Sequence, residues 1–208
     1  MYSDTIVAQC TPSGTGALAL IRISGPQAIN TIGATIAQLS SRQSLTAVPT
    51  HTIHHGHVVE KNGDCIDEVM FFVMHAPRTF TGEHTVEISC HNNPFIIENI
   101  INRSIQAGAR LAQPGEFSRQ ALENGKMNIL QAEAIKELIH AQTQEALKIS
   151  LQQMSGTFLS HLQILEKPLL QAIALCEASF EFLEEDIDFS SPIRKKIEEL
   201  LRTINHLK

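Results

Sequence analysis

At residue 126 the sequence changes its period, and that change limits what the chain can become. Before it, short β-like runs alternate with Gly and Pro. After it, apolar residues return at helical spacing almost to the end. Residues 4–9, 17–23 and 50–59 read as strands. Asn62-Gly63 predicts a tight hairpin turn with φ > 0 at both central positions, returning into an apolar strand over 66–74. Residues 85–90 alternate, with Val86, Ile88 and Cys90 on one face and Thr85, Glu87 and Ser89 on the other. One helix is expected to open at Pro26. A second spans 94–107, with Ile96, Ile97, Ile100, Ile101 and Ile105 on one stripe and Gly108 as its stop. Strands mixed with few helices, including a hairpin, predict an α+β domain rather than a doubly wound sheet.

The second region reads as helix throughout. Asn128 and Gln131 form a capping box on paper. Ile135, Leu138, Ile139, Ala146 and Leu147 then keep a helical spacing, with Gly156 and Pro168 expected as breaks or kinks. The acidic stretch 177–188 reads as a solvated loop. Ser191-Pro192 opens a last helix with Ile193, Ile197, Leu200, Leu201, Ile204 and Leu207 on one face. Because that stripe meets no stop signal, the natural protein is expected to continue beyond Lys208.

Composition removes several function classes. The formal net charge is −6, and both regions are acidic, so neither offers the broad positive surface of a non-specific nucleic-acid binder. No apolar run approaches the roughly 18–20 residues of a membrane helix. The first residues have neither the layout of a secretory signal nor that of a transit peptide. Cys10, Cys65, Cys90 and Cys176 lie far apart with no C-x-x-C pair, which is neither a disulfide framework nor a zinc module. A reducing cytoplasm is the expectation.

Most individual motifs fail on context. Gly14-Thr15-Gly16-Ala17-Leu18-Ala19 matches a dinucleotide fingerprint, but a strand follows it instead of a helix, so no helix N-terminus is there to hold a pyrophosphate. Gly125-Lys126 is no P-loop, since Gln120 and Met127 stand where Gly and Ser or Thr are required. His51, His54, His55 and His57 crowd one strand; His55 and His57 share a face, but zinc would need further ligands, so a solvated strand edge is the expected reading. Cys90 and His91, adjacent on a strand, point to opposite faces and make no thiol–base dyad. Three charges remain. Arg22 ends an apolar row begun by Leu18 and Leu20, Glu87 sits in mid-strand, and Lys126 follows a glycine at the junction of the two regions. A charge at a core edge is costly unless it is paired or meets a ligand. Taken singly, each reads first as an ion-pair partner.

Several separated blocks, in order along the chain, resemble one family. They are DTIVAQ (4–9), PSGTGALALIRISG (12–25), FTGEHTVEISCH (80–91), QPGEFSRQALENGK (113–126), LQAEAI (130–135) and EEDIDF (184–189). Together they are similar to the tRNA modification GTPases called MnmE or TrmE. The resemblance implies an α+β tetrahydrofolate-binding and dimerisation domain over 1–120, related to the folate domain of glycine-cleavage aminomethyltransferase. It implies the first part of a helical domain over 121–208, ending before an inserted GTPase domain. It also implies a homodimer working in the cytoplasm with the FAD-dependent partner MnmG, away from any membrane. Together they would form 5-(carboxymethyl)aminomethyluridine, or its aminomethyl counterpart, at wobble position 34 of tRNA. The implied cofactors are 5-formyl- or 5,10-methylene-tetrahydrofolate, with GTP, Mg2+ and K+ bound by a domain outside this sequence. No catalytic residue and no metal ligand is assigned here. The family's folate-contacting positions fall on Arg22, Glu87 and Lys126. Glu87 suits the 2-amino and N3–H edge of a pterin, while Arg22 and Lys126 suit anionic or carbonyl groups.

The chain departs from the family at Ala17 and Asn92-Asn93, where glycines are usual, and at Asn128, where aspartate is. Since Asn tolerates φ > 0, the turn at 92–93 is expected to keep its shape. Two other readings stand beside this one: a stand-alone folate-binding module, and a purely structural dimerisation domain.

Overall fold

A computed structural model describes residues 4–182 and 188–206, and for 31–34, 157–160 and 206 only the backbone. The chain divides into two compact units, Met1–Met127 and Asn128–Lys208.

The first unit is α+β, as the strand and hairpin signals predict. Its strands are β1 (Ile6–Gln9), β2 (Leu18–Ser24), β3 (Ala37–Leu39), β4 (Thr52–Val59), β5 (Cys65–Met74), β6 (Thr85–His91) and β7 (Arg110–Leu111). They form one sheet in the order β3-β4-β5-β6-β2-β1-β7, antiparallel except for the parallel β1–β7 pair. Alternation along β2, β5 and β6 turns Ile21, Ile23, Val69, Phe71, Val73, Val86 and Ile88 to one buried face. Ile97 and Ile100 of helix α2 (Pro94–Gln106) belong to that core, together with Ala28, Ile29 and Ile36. The last three come from helix α1, which is π-type over Ala28–Gly33 and α-type over Ala34–Ile36. It starts after Pro26, because a turn from Gly25 to Ala28 comes first. Helix α3 (Glu116–Glu123) ends the unit.

Two local expectations change. Glu60 and Asp64 close the β4–β5 hairpin around a three-residue loop, and Gly63 has φ 91 while Asn62 stays at negative φ. Gly63 alone supplies the left-handed residue that the longer loop needs. On α2, Ile105 is 40% exposed, so the stripe ends at Ile101, which packs on the core.

The second unit contains α4 (Ile129–His140), α5 (Gln144–Met154), α6 (Thr157–Glu181) and α7 (Ser190–His206). Asn128 and Gln131 make the predicted capping box. The apolar spacing across 135–147 is not one helix. Thr143 accepts from the Ala146 amide and caps a new helix, leaving Ile139 at 73% exposure. Gly156 separates α5 from α6, whereas α6 continues through Pro168. Losing one backbone donor is tolerable because the carbonyl it frees, four residues earlier, belongs to Ile164, which is 55% exposed. The acidic stretch does not begin as a loop, because α6 holds Glu177 and Glu181. Residues 183–187, and with them most of the EEDIDF block, lie outside the described residues, as does Leu207.

Candidate functional site

The antiparallel register of β2 and β6 sets Arg22 directly opposite Glu87. Both side chains leave the sheet on the face away from the α2-covered core. Arg22 Nε donates to Glu87 Oε1 at 2.7 Å, with the side chains 21% and 16% exposed. The guanidinium carbon also lies 5.2 Å from the ring centroid of Phe80 and 5.4 Å from that of Phe117. Phe80 comes from the β5–β6 connection and Phe117 from the first turn of α3. Among the described residues, the ion pair uses only one edge of each partner: both Nη groups of Arg22 and Oε2 of Glu87 meet no protein partner. A half-buried cation and anion with unused donors and an unused acceptor can together satisfy a ligand that carries both an acceptor and a donor.

Lys126 does not join this pair. Its Nζ donates to the carbonyl of Pro77 at 2.9 Å. Its stem runs so close to Gly82 that a Cβ there would sit 3.2 Å from Lys126 Cγ. Asn124, in the same turn after α3, donates from Nδ2 to the Thr81 carbonyl at 2.8 Å. The turn after α3 thus fastens the connection that carries Phe80.

Glu116 opens α3 and is the buried anion of this region, with its side chain 4% exposed. Arg110 meets it in two-pronged fashion, Nη2 to Oε1 at 2.7 Å and Nη1 to Oε2 at 3.1 Å. The Gln113 amide donates to Oε2 and Arg119 Nη2 to Oε1. Hydrogen bonds from Arg110 hold the Glu116 carboxyl below its ordinary range. One turn beyond Phe117 on α3, Gln120 Oε1 is buried with no hydrogen-bond donor among the described residues. Phe80, Phe117, Glu116 and Asn124 all lie inside the motif blocks that carried the resemblance. As single residues they gave no signal, because an aromatic or an acid shows its role only when tertiary structure supplies its partner.

The rejected motifs behave as solvated or structural groups. His55 Nε2 lies 2.7 Å from Glu68 Oε1, and its ring is 6.1 Å from that of His57. No group of three or more His, Cys, Asp or Glu able to hold a metal occurs among the described residues. Cys90 is 1% exposed, while His91 donates from Nδ1 to Asp67 Oδ1 and from its amide to Oδ2, each at 2.8 Å. The fingerprint-like loop is anchored by Asn92 Nδ2 on the Gly14 carbonyl. Asn93 caps α2 with φ −114, and neither asparagine takes positive φ. The turn at 92–93 therefore rests on these side-chain bonds and on the Asn92 amide donating to the Ala17 carbonyl, not on left-handed backbone.

Residues 5–126 match the family model described as the N-terminus of the GTP-binding protein TrmE, and residues 129–208 match the MnmE helical domain. The chain belongs to the MnmE family. It is similar to proteins named tRNA modification GTPase MnmE from Flavobacterium johnsoniae (42% identical over 201 residues, 97% of this chain and 42% of the relative) and from Cytophaga hutchinsonii (38% over 208 residues, 99% and 44%). The one from Bacillus subtilis is 38% identical over 211 residues, covering 96% of this chain and 46% of the relative. The chain thus spans less than half the length of these MnmE relatives. Arg22, Phe80, Glu87, Glu116, Phe117 and Lys126 all fall within the TrmE N-terminal match. Among the described residues, no helix is long and apolar enough to cross a membrane.

Proposed function

We propose that this chain is the tetrahydrofolate-binding and dimerising part of an MnmE-type tRNA modification GTPase, with a reduced folate held at Arg22, Glu87 and Lys126, whose ammonium keeps donors beyond the one given to Pro77. The observation that carries this reading is the single-edged Arg22–Glu87 pair, which is half-buried beside two phenyl rings. Glu87 accepts the 2-amino and N3–H donors of the pterin, and the Nη edge of Arg22 meets a carbonyl or carboxylate. Folate supplies a one-carbon unit; the residues of this chain bind and orient it.

In this reading the homodimer is built through residues 1–120, and the helical domain begins within 121–208. The whole protein works in the cytoplasm with MnmG on the wobble uridine of tRNA, and GTP with Mg2+ and K+ binds a domain outside this sequence. The test is calorimetry of 5-formyltetrahydrofolate with the wild-type chain and with Glu87→Gln. That substitution keeps the shape but removes the charge, so binding should weaken by about 1.5–3 kcal/mol. Equal affinity in both proteins, or no heat from either, would sink the reading.

A further inference from the structure

Two rings from distant parts of the sequence converge on one guanidinium. Phe80 and Phe117 both lie within 5.4 Å of Arg22 Cζ, and neither belongs to the hydrophobic core cluster. Phe80 keeps 39% of its surface exposed. Attraction between a ring face and a cation fixes the cation's plane and displaces water from its faces. With Nε committed to Glu87, what remains open is the Nη edge, next to a free carboxylate oxygen and an accessible phenyl surface.

Few ligands use all three of these features. A compact anion gains from Arg22 but is repelled by Glu87 and gains nothing from the rings. An apolar ring gains from the phenyls but strands both charges without partners. A flat heteroaromatic ring with donors and acceptors along one edge satisfies the charges and stacks as well.

We propose that Phe80 and Phe117 are specificity-determining residues of this site, selecting the pterin end of a reduced folate over its aminobenzoyl-glutamate end. This rests on the folate reading above, which sets the pterin on Glu87, and goes beyond it by assigning the two side chains that select that end. The β5–β6 connection is built to hold Phe80 in place. Lys126 and Asn124 fasten it at Pro77 and Thr81, and Thr79 Oγ1 donates to the Glu83 carbonyl at 2.7 Å.

The test uses the 208-residue chain with 5-formyltetrahydrofolate as the reporter ligand. Its two fragments, a tetrahydropterin without the tail and p-aminobenzoyl-glutamate, serve as competitors. Phe80→Leu and Phe117→Leu should each weaken 5-formyltetrahydrofolate about 3- to 20-fold. They should weaken competition by the tetrahydropterin to the same degree and leave competition by p-aminobenzoyl-glutamate unchanged. Phe80→Tyr, which keeps the ring, should bind as wild type. Since Phe80 is partly exposed, its Leu variant should melt close to wild type, and it carries the test if Phe117→Leu does not fold. The proposal is overturned if the Leu variants weaken both fragments alike, or neither, while Glu87→Gln still weakens the folate. If Glu87→Gln leaves folate affinity unchanged, the underlying reading falls and this one with it.

Discussion

Arg22 and Glu87 face each other across β2 and β6 at 2.7 Å, joined through Nε alone. The pair is partly shielded from water, so removing one member leaves the other half-buried without a partner. Arg22→Ala also removes a stem on the row of Leu18 and Leu20 and the contact with both phenyl rings. We expect Arg22→Ala to cost about 1–3 kcal/mol of stability. A double-mutant cycle with Glu87→Ala should give a coupling energy of about 1–2 kcal/mol. Additive effects in urea unfolding would show that the pair contributes nothing beyond its separate members.

A second prediction concerns Glu116, whose carboxylate is met by Arg110, Arg119 and the Gln113 amide. Its folded pKa lies below the ordinary 4.5, so the unfolded chain binds the proton more readily. The stabilisation is therefore complete above the ordinary value and fades as pH falls through the folded one. Glu116→Gln should lose about 2–4 kcal/mol at neutral pH and show a flatter acid limb than wild type. Melting curves recorded from about pH 7 down to about pH 3 decide it; parallel acid limbs would contradict the assignment.

Much of this fold is legible in the residues. The alternation of 85–90 places Glu87 on the open face, and the strand pattern of 17–23 places Arg22 on its face with Leu18 and Leu20. Their pairing is not legible, because it depends on β2 lying beside β6, a contact between strands more than sixty residues apart. Lys126 stands out as a charge at a junction, yet its bond to Pro77 exists only because the β5–β6 connection folds back onto the turn after α3. Phe80 and Phe117 lie further still from sequence reasoning, since nothing local distinguishes a ring on a cation from a ring in a core. In the helical region the apolar period hides the break at Thr143, where a side-chain cap outweighs a continuous stripe.

The alkaline side should report Cys90. Burial first, and then the charge of Asp67, pushes its thiol up to about 11 from an ordinary 9.0. Between those values the native thiol keeps its proton while the unfolded one loses it. The unfolded state then binds fewer protons, and stability falls as pH rises through the window. Cys90→Ala should lower the baseline by leaving a small cavity but flatten that alkaline slope. Urea midpoints from about pH 8 to about pH 11 measure the slope directly, and an unchanged slope in the variant would rule Cys90 out as its source.

The connection carrying Phe80 offers a sharper test at Gly82, which has φ 81. A Cβ there would lie 2.9 Å from Asn124 Cβ, and 3.2 and 3.3 Å from Lys126 Cγ and Cδ. Gly82→Ala therefore combines two penalties: left-handed backbone strain, about 1–2 kcal/mol, and a methyl driven into the side chains that fasten the connection. The steric part is removable and the backbone part is not. Adding Asn124→Gly and Lys126→Ala clears the space, so the triple variant should regain part of what Gly82→Ala loses, measured against the Asn124→Gly, Lys126→Ala double variant. If folate binds where Phe80 stands on Arg22, Gly82→Ala should also weaken 5-formyltetrahydrofolate, because the displaced connection takes the ring with it. Thermal melts read the first effect and calorimetry the second. Full stability in Gly82→Ala would mean that the turn after α3 does not hold the connection, and Phe80 would need another anchor.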